Sequence, residues 1–376
     1  MTAIQPELKK KKRFERLTDA QLLTIISGTI FVLLYGAAIL FFEDFRKPQV
    51  LFDITNYYSF LIILACALTV VMVGGGINIS VGGVVCLVCM ACSIFLRDTG
   101  IKDPTLQLWT AFGLAIGIGA AFGAFQGALI SYLEIQPFII TLGGMFLARG
   151  LTTILSGGGN VTLPDGNTFA KWMTELEIKI PELGTQKIKR GKVYVNPAVL
   201  NWVTIIAIAV VIIMYLVMRF TKFGRNTYAI GGNAQSAKML GINVKQTRFN
   251  TYLLSGVLSG LAGFVFMMFN GARGSTGVAL RTEMDAIAAS IIGGTLLSGG
   301  VGNVIGSFFG TMILGTLQKI IYYSPLKDAY WEQMVSGVML GVFVVMQSVV
   351  LGARNKGKLS LPWSRGAKKE EAIKKG

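Results

Sequence analysis

The chain contains no histidine. That absence removes every imidazole-based base, nucleophile relay and metal ligand. Acidic residues are also scarce, 19 against 35 lysines and arginines in 376 residues. Almost none of them falls inside an apolar run, whereas proton-coupled carriers keep carboxylates or histidines near the bilayer midplane. Charged residues make up 14% of the chain, well below the roughly 25% of a soluble domain. The phosphate-binding pattern G-x-x-x-x-G-K-[ST] is missing, because Gly191-Lys192 is followed by Val193 and Gly357-Lys358 by Leu359. The chain is therefore expected to hydrolyse no ATP itself. It carries no arginine-rich gating helix and no ion-selecting ring motif. No catalytic constellation supports a membrane enzyme, and neither a metal site nor a cofactor is expected.

What is abundant is apolar sequence: 53% of residues are hydrophobic, with a mean hydropathy of +0.61. About 20 apolar residues cross a bilayer core as a helix. By that rule about ten segments qualify, centred on 22–42, 56–73, 82–96, 106–131, 138–155, 199–219, 251–270, 285–298, 303–323 and 333–351. The third and eighth are short enough to be tilted or partly re-entrant. The fold expected is an all-α polytopic membrane protein. No removable signal peptide is expected, since the first apolar run is too long for one.

The net charge of +16 would suit nucleic acid, but its distribution does not. Basic residues cluster at the ends of apolar runs and in the tails, the pattern that fixes orientation in membranes. The expected organisation is a basic cytoplasmic N-tail (1–20), a spanning domain (21–352) and a basic cytoplasmic C-tail (353–376). Within the spanning domain, 156–197 forms an external loop and 220–250 a cytoplasmic one. No nucleic-acid partner is expected; membrane lipid is.

Cys86, Cys89 and Cys92 make a C-x2-C-x2-C spacing in VVCLVCMACSIF. In so apolar a helix they read as small packing residues. Glycines repeat every fourth position at Gly119, Gly123 and Gly127, and again at Gly302, Gly306 and Gly310. That spacing lets helix backbones approach closely. Glycine-rich turns at 73–83, 271–277 and 293–302 fit two readings: simple connections, or helix breaks lining a path.

The segment 224–250, GRNTYAIGGNAQSAKMLGINVKQTRFN, is too long for a turn between two membrane-grade runs. Asn233 suits an N-cap and Gly241 a C′ stop. The short helix between them offers Ala234, Ala237, Met239 and Leu240 as a small apolar face. Composition fits docking into a protein groove or resting on lipid headgroups.

That segment, with GGGINISVGG, EIQPFIITLGGMFLARG and TEMDAIAASIIGGTLLSGGVGNVIG, resembles the permease subunits of ribose- and galactose-type sugar ABC importers. FGAFQG and YAIGGNAQSAKMLGI are most similar to the galactofuranose type. The resemblance runs over about 20–350. It implies a bacterial inner-membrane permease that works with a second permease, an ABC ATPase subunit and an extracytoplasmic sugar-binding protein. It implies monosaccharide import; a nucleoside or other small polar solute is the alternative cargo, and a stand-alone secondary transporter or channel the alternative class. By the same resemblance Asn233, Ala234, Ser236, Ala237, Lys238, Leu240, Gly241 and Ile242, with Asn243, form the ATPase-coupling helix. Asn78, Ser80, Gln126, Phe138 and Thr141 are expected along the path, with only weak substrate contacts. The family's aspartate is Asn78 here, and its Asn-Gly is Gln126-Gly127. Glu283 and Asp285 are expected to stabilise a helix N-terminus. KIKRGKVYV reads as a small hairpin, and two readings fit its Lys187, Lys189, Arg190 and Lys192: a solvated face, or contact with the binding protein.

Overall fold

A computed structural model describes residues 18–101, 103–163, 177–189, 192–324, 330–331 and 334–346. Both tails, apart from residues 18–20, lie outside the described residues, as does Arg190. The chain is helical almost throughout, in keeping with the expected all-α membrane class. Helix α1 spans Asp19–Phe41 and starts at a capping box, in which Thr18 and Gln21 satisfy each other's backbone amides. A 3-10 turn (Glu43–Arg46) leads to α2 (Pro48–Tyr57) and α3 (Ser59–Val73), which meet at a 55° bend. Helices α4 (Val81–Asp98), α5 (Pro104–Tyr132) and α6 (Pro137–Ser156) follow. A hairpin of β1 (Glu177–Lys189) and β2 (Lys192–Asn201) interrupts the helices. Then come α7 (Trp202–Phe220), α8 (Lys222–Met239), α9 (Val244–Phe269), α10 (Thr282–Ile292), α11 (Val304–Tyr323) and α12 (Met334–Met346).

Among the described residues seven helices are long and apolar enough to cross a membrane, and the bent pair α2–α3 makes eight. The difference from ten lies in the last third. The run 285–298 yields only α10, a helix of 11 residues. At the rise of an α-helix that is about 16 Å, half a bilayer core. It stops because Gly293 and Gly294 turn the chain, the latter at a φ of +94°. The tenth run, 333–351, lies partly outside the described residues.

Helix α3 is the centre of the bundle: all 15 of its residues are buried. Its sequence, SFLIILACALTVVMV, is apolar on every side, as a fully enclosed helix must be. Helices α7, α9, α10 and α11 surround it, with α8 at one end. The repeated glycines act as their spacing predicts. A Cβ on Gly119 would collide with the carbonyl of Gly256, and one on Gly310 with that of Ala289. So α5 packs on α9, and α11 on α10, backbone to backbone. Small-residue contacts of this kind hold helices together where lipid removes the hydrophobic drive.

The hairpin is longer than KIKRGKVYV: it runs from Glu177 to Asn201, with a register irregularity between Ile180 and Thr185. Pro181, which cannot donate to a ladder, falls in that irregularity. The base is fastened to α2. Asn56 Nδ2 donates to the Val199 carbonyl at 2.9 Å, and Asn56 Oδ1 accepts from the Asn201 amide at 3.0 Å and Thr204 Oγ1 at 2.6 Å. The Val199 amide donates to Gln49 Oε1 at 2.8 Å.

Candidate functional site

The segment between α7 and α9 is built in two halves. Thr221 caps α8, its hydroxyl accepting from the Gly224 amide at 3.2 Å. From Lys222 to Gly232 the helix is polar in composition yet seats one face in the bundle, with Gly224, Thr227 and Ile230 buried and Lys222, Arg225 and Gly232 exposed. Tyr228 donates its hydroxyl proton to the Gly302 carbonyl at 2.8 Å. Gly231 lies directly on the Val73 carbonyl and the Gly300 amide, with no room for a methyl group. The Gly300 amide in turn donates to the Val73 carbonyl at 2.9 Å. This buried half is not legible in the sequence, because glycine backbone rather than apolar side chains makes the contact.

At Asn233 the backbone leaves the helix for one residue (φ −160°, ψ 104°) and restarts. Asn233 Oδ1 accepts from the Ser236 amide at 2.8 Å, so the expected N-cap forms. The other end closes as a Schellman motif: the Gly241 amide donates to the Lys238 carbonyl at 3.0 Å and the Ile242 amide to Ala237 at 3.1 Å. Gly241 takes a φ of +81°, a left-handed conformation that a side chain would strain. The exposed apolar face differs from the expected one. Met239 and Leu240 are 82% and 81% exposed, Ala234 is half-buried, and Ala237 is buried against the bundle. Asn233, Ser236 and Lys238 are exposed, and Ile242 is half-buried. Asn243 then caps α9 through the Gln246 amide at 3.0 Å. The start of α9 is tied to the turn between α5 and α6 by Lys245 Nζ to Glu134 Oε1 at 3.0 Å, and by Tyr132 hydroxyl to Gln246 Oε1 at 3.0 Å. Hydrogen bonding and charge from Lys245 hold the Glu134 carboxyl below the usual carboxylate range.

The residues expected along the path divide. Asn78, Ser80 and Gln126 form one buried network inside the chain. Asn78 Nδ2 donates to Ser255 Oγ at 3.0 Å, and its Oδ1 accepts from the Ser80 amide at 3.1 Å and hydroxyl at 2.7 Å. Ser80 also lies 3.0 Å from Gln126 Oε1. Gln126 Nε2 is buried with no hydrogen-bond partner among the described residues. An amide at 78 both donates and accepts here without placing a charge in the membrane, which accounts physically for asparagine at this position. Thr141 is buried too, its hydroxyl satisfied by the Pro137 carbonyl at 2.8 Å. Phe138 is apart from them and half exposed.

The structure also joins two charges that the sequence presents separately. Segment 270–281 is a run of turns lying against α4 before α10 begins, with Gly271, Ala272, Ala279 and Arg281 in the left-handed region and one bridge from Gly274 to Val161. Its carbonyls at membrane depth need donors. Arg149 of α6 supplies them, reaching Ala279 at 2.8 Å and Val278 at 3.4 Å. The thiols of Cys86 and Cys89 face the carbonyls of Thr276 and Arg273 at 3.6 and 3.5 Å. Arg149 also pairs with Glu283 at 3.8 Å. Glu283 and Asp285 occupy the first turn of α10, where negative charge offsets the helix dipole. A Cβ on Gly82, near the start of α4, would collide with the Glu283 carboxylate, so two helix N-termini meet at this point. On the hairpin, Lys187 stands opposite Tyr194 and Lys189 opposite Lys192.

A bundle with broken helices, glycine-tight crossings and one capped, protruding helix at its basic end is the architecture of a membrane permease. Comparison with known proteins agrees. Residues 50–344 match the family described as the branched-chain amino acid transport system / permease component, and the chain belongs to that family. It is 36% identical to the inner membrane ABC transporter permease protein YjfF of Escherichia coli (strain K12), over 86% of this chain and 91% of that one. It is 33% identical to the fructose import permease protein FruG of Bifidobacterium longum, over 93% and 97%. The galactose/methyl galactoside import permease protein MglC of Escherichia coli is 29% identical over 88% and 95%. No solved structure matches.

Proposed function

We propose that this chain is the membrane subunit of a monosaccharide importer of the ABC type, residing in a bacterial inner membrane with both termini in the cytoplasm. It pairs with a second permease, takes its sugar from an extracytoplasmic binding protein near the 177–201 hairpin, and is driven by a separate ATPase. It is not itself a catalyst. The observation that carries this reading is the protruding helix from Ala234 to Met239. It is capped at both ends, presents Met239 and Leu240 to solvent, and is backed by a buried stem. A helix resting on lipid would spread its apolar residues along one face. Two adjacent exposed apolar tips above a tightly closed C-terminus suit a protein cleft. The names of the relatives, which cover fructose and galactose import, support the sugar class.

The test is capture of the tagged full-length chain from mildly solubilised native membranes, with bound proteins identified by mass. An ATP-binding subunit is expected with wild type and lost from the Met239→Ser/Leu240→Ser variant, which leaves the buried stem intact. A chain that comes down without any ATPase in several detergents, and takes up sugar on an ion gradient, refutes the reading.

A further inference from the structure

Beyond coupling to an ATPase, the basic end of the bundle carries a second feature. A cavity of about 630 Å³ opens between α1, α7, α8 and the turn before α11. Arg219, in the last turn of α7, and Arg225, in the first turn of α8, both line it and are both exposed. Neither guanidinium has a carboxylate within ion-pair distance among the described residues. Arg219 stacks over the rings of Tyr215 and Phe220, with ring centroids 5.9 and 5.8 Å away. Arg225 donates one bond, to the Phe220 carbonyl at 3.2 Å, and keeps its remaining donors. Asp19 also lines the cavity, so its described lining residues include two arginines and one aspartate. The other walls are mixed: Tyr215, Met218, Val301 and Val304 are apolar or aromatic, and Thr18, Gln21 and Asn303 are polar.

We propose that this cavity binds the phosphate of an anionic phospholipid from the cytoplasmic leaflet. A planar guanidinium matches phosphate oxygens bidentately, and two of them on different helices define a site rather than a general surface field. The source is lipid rather than free anion because of where the cavity lies. It closes the end of a 19-residue apolar span. A tyrosine stands there at headgroup level, with an apolar wall to receive the glycerol and upper acyl carbons. Occupancy has a mechanical consequence. The same cavity is lined by Tyr228, Gly300 and Gly302, the contacts that seat the coupling stem on α3 and the turn. A bound headgroup braces that stem.

Native mass spectrometry of the purified full-length chain tests this, with phosphatidylglycerol, phosphatidylcholine of matched acyl chains, and inorganic phosphate as probes. Phosphatidylglycerol is expected to be retained and phosphatidylcholine to dissociate. In the Arg219→Gln/Arg225→Gln variant retention should fall about 30-fold, about 2 kcal/mol for two basic residues near the surface. The Lys222→Gln/Lys245→Gln variant removes two charges from the same end without touching the cavity and should retain lipid like wild type. Equal retention of the two lipids, an equal loss in the control variant, or unchanged binding by the arginine variant would overturn the proposal. Displacement of the lipid by inorganic phosphate would also overturn it, in favour of a free-anion site. A thermal melt of the arginine variant matching wild type excludes misfolding as the cause of a loss; if it melts early, single Arg219→Lys and Arg225→Lys variants, which keep charge but lose the fork, must each lower retention.

Discussion

Replacing Arg149 with methionine keeps much of the side chain's length and removes its charge and donors. Three consequences follow from the geometry. The carbonyls of Ala279 and Val278 lose their donor at membrane depth. Glu283, buried, loses its counter-charge at 3.8 Å. Segment 270–281 loses its hydrogen bonds to α6. An unpaired buried charge left by removing one partner costs about 3–5 kcal/mol. Glu283→Gln is milder: it removes the charge but keeps the shape, and leaves Arg149 its two carbonyl bonds, so about 1–3 kcal/mol is expected. Combining the two should cost much less than their sum, because once Glu283 is neutral Arg149→Met strands no charge. The assay is reversible unfolding in mixed micelles for wild type, both single variants and the double. A coupling energy of at least about 1 kcal/mol is expected, since residues in one ionic network couple by about 0.5–3 kcal/mol. Additivity within about 0.5 kcal/mol would refute the pairing and reduce Arg149 to a donor for the carbonyls alone.

Three further outcomes are expected. Gly231→Ala puts a methyl group on the Val73 carbonyl and the Gly300 amide; uptake should fall more than tenfold while the chain still inserts, and wild-type uptake in that variant would show the junction to be soft. Asn56→Ala leaves the Val199 carbonyl, the Asn201 amide and the Thr204 hydroxyl without their partner. The unfolding midpoint should then correspond to a loss of about 1–3 kcal/mol, and the hairpin should become protease-sensitive at its base; unchanged cleavage would refute the anchoring role. The Glu134 carboxyl is held low by Lys245, so the stability it adds is present above the ordinary glutamate pKa of about 4.3 and lost as pH falls through its lower folded value. The gap between wild type and Lys245→Gln in unfolding midpoint should therefore narrow steadily as pH falls below the ordinary glutamate range, and a gap that does not change with acidification would argue against the ion pair.

Some of this is readable in the sequence alone. The run SFLIILACALTVVMV has no polar face, and only a helix enclosed on all sides or bathed in lipid tolerates that. The four-residue glycine spacing and the Asn233 and Gly241 caps are local rules, satisfied within one or two turns, and all of them form. What the sequence hides depends on distance or on backbone. The α2–α3 bend falls at Tyr57–Tyr58, with no proline or glycine to announce it. The stem 222–232 reads as a surface loop because it is polar, whereas its burial comes from glycine backbone resting on the Val73 carbonyl. Arg149 and Glu283 meet only because 270–281 dips into the bundle unhelically, and no periodicity encodes a segment without a period. Helical spacing alone puts Ala237 on the exposed face; the kink at Asn233 rotates that turn and sends it inward.

The glycine junction bears on how force would cross this molecule. Side chains in contact absorb small displacements by changing rotamer, so a lever joined through them transmits little. Here Gly231 rests on Val73, Gly299 on Gly75 and Gly300 on Gly232, with the Gly300 amide bonded to the Val73 carbonyl. No rotamer exists in these contacts to take up a push. The chain then runs through Gly76, packed under the Tyr252 hydroxyl, into Asn78 and the buried network with Ser80, Ser255 and Gln126. Tyr252 bonds the Ile77 carbonyl at 3.2 Å, tying the same stretch to α9. A displacement of the protruding helix thus reaches Gly76 through backbone and the start of α4 through the Asn78 network, and the hypothesis is that this is how ATPase motion is delivered. Under it, Gly231→Ala and Asn78→Ala should both sharply lower uptake while leaving ATPase retention intact. An Asn78→Ala chain that still transports would place the moving element elsewhere, on the exposed α6 face around Phe138.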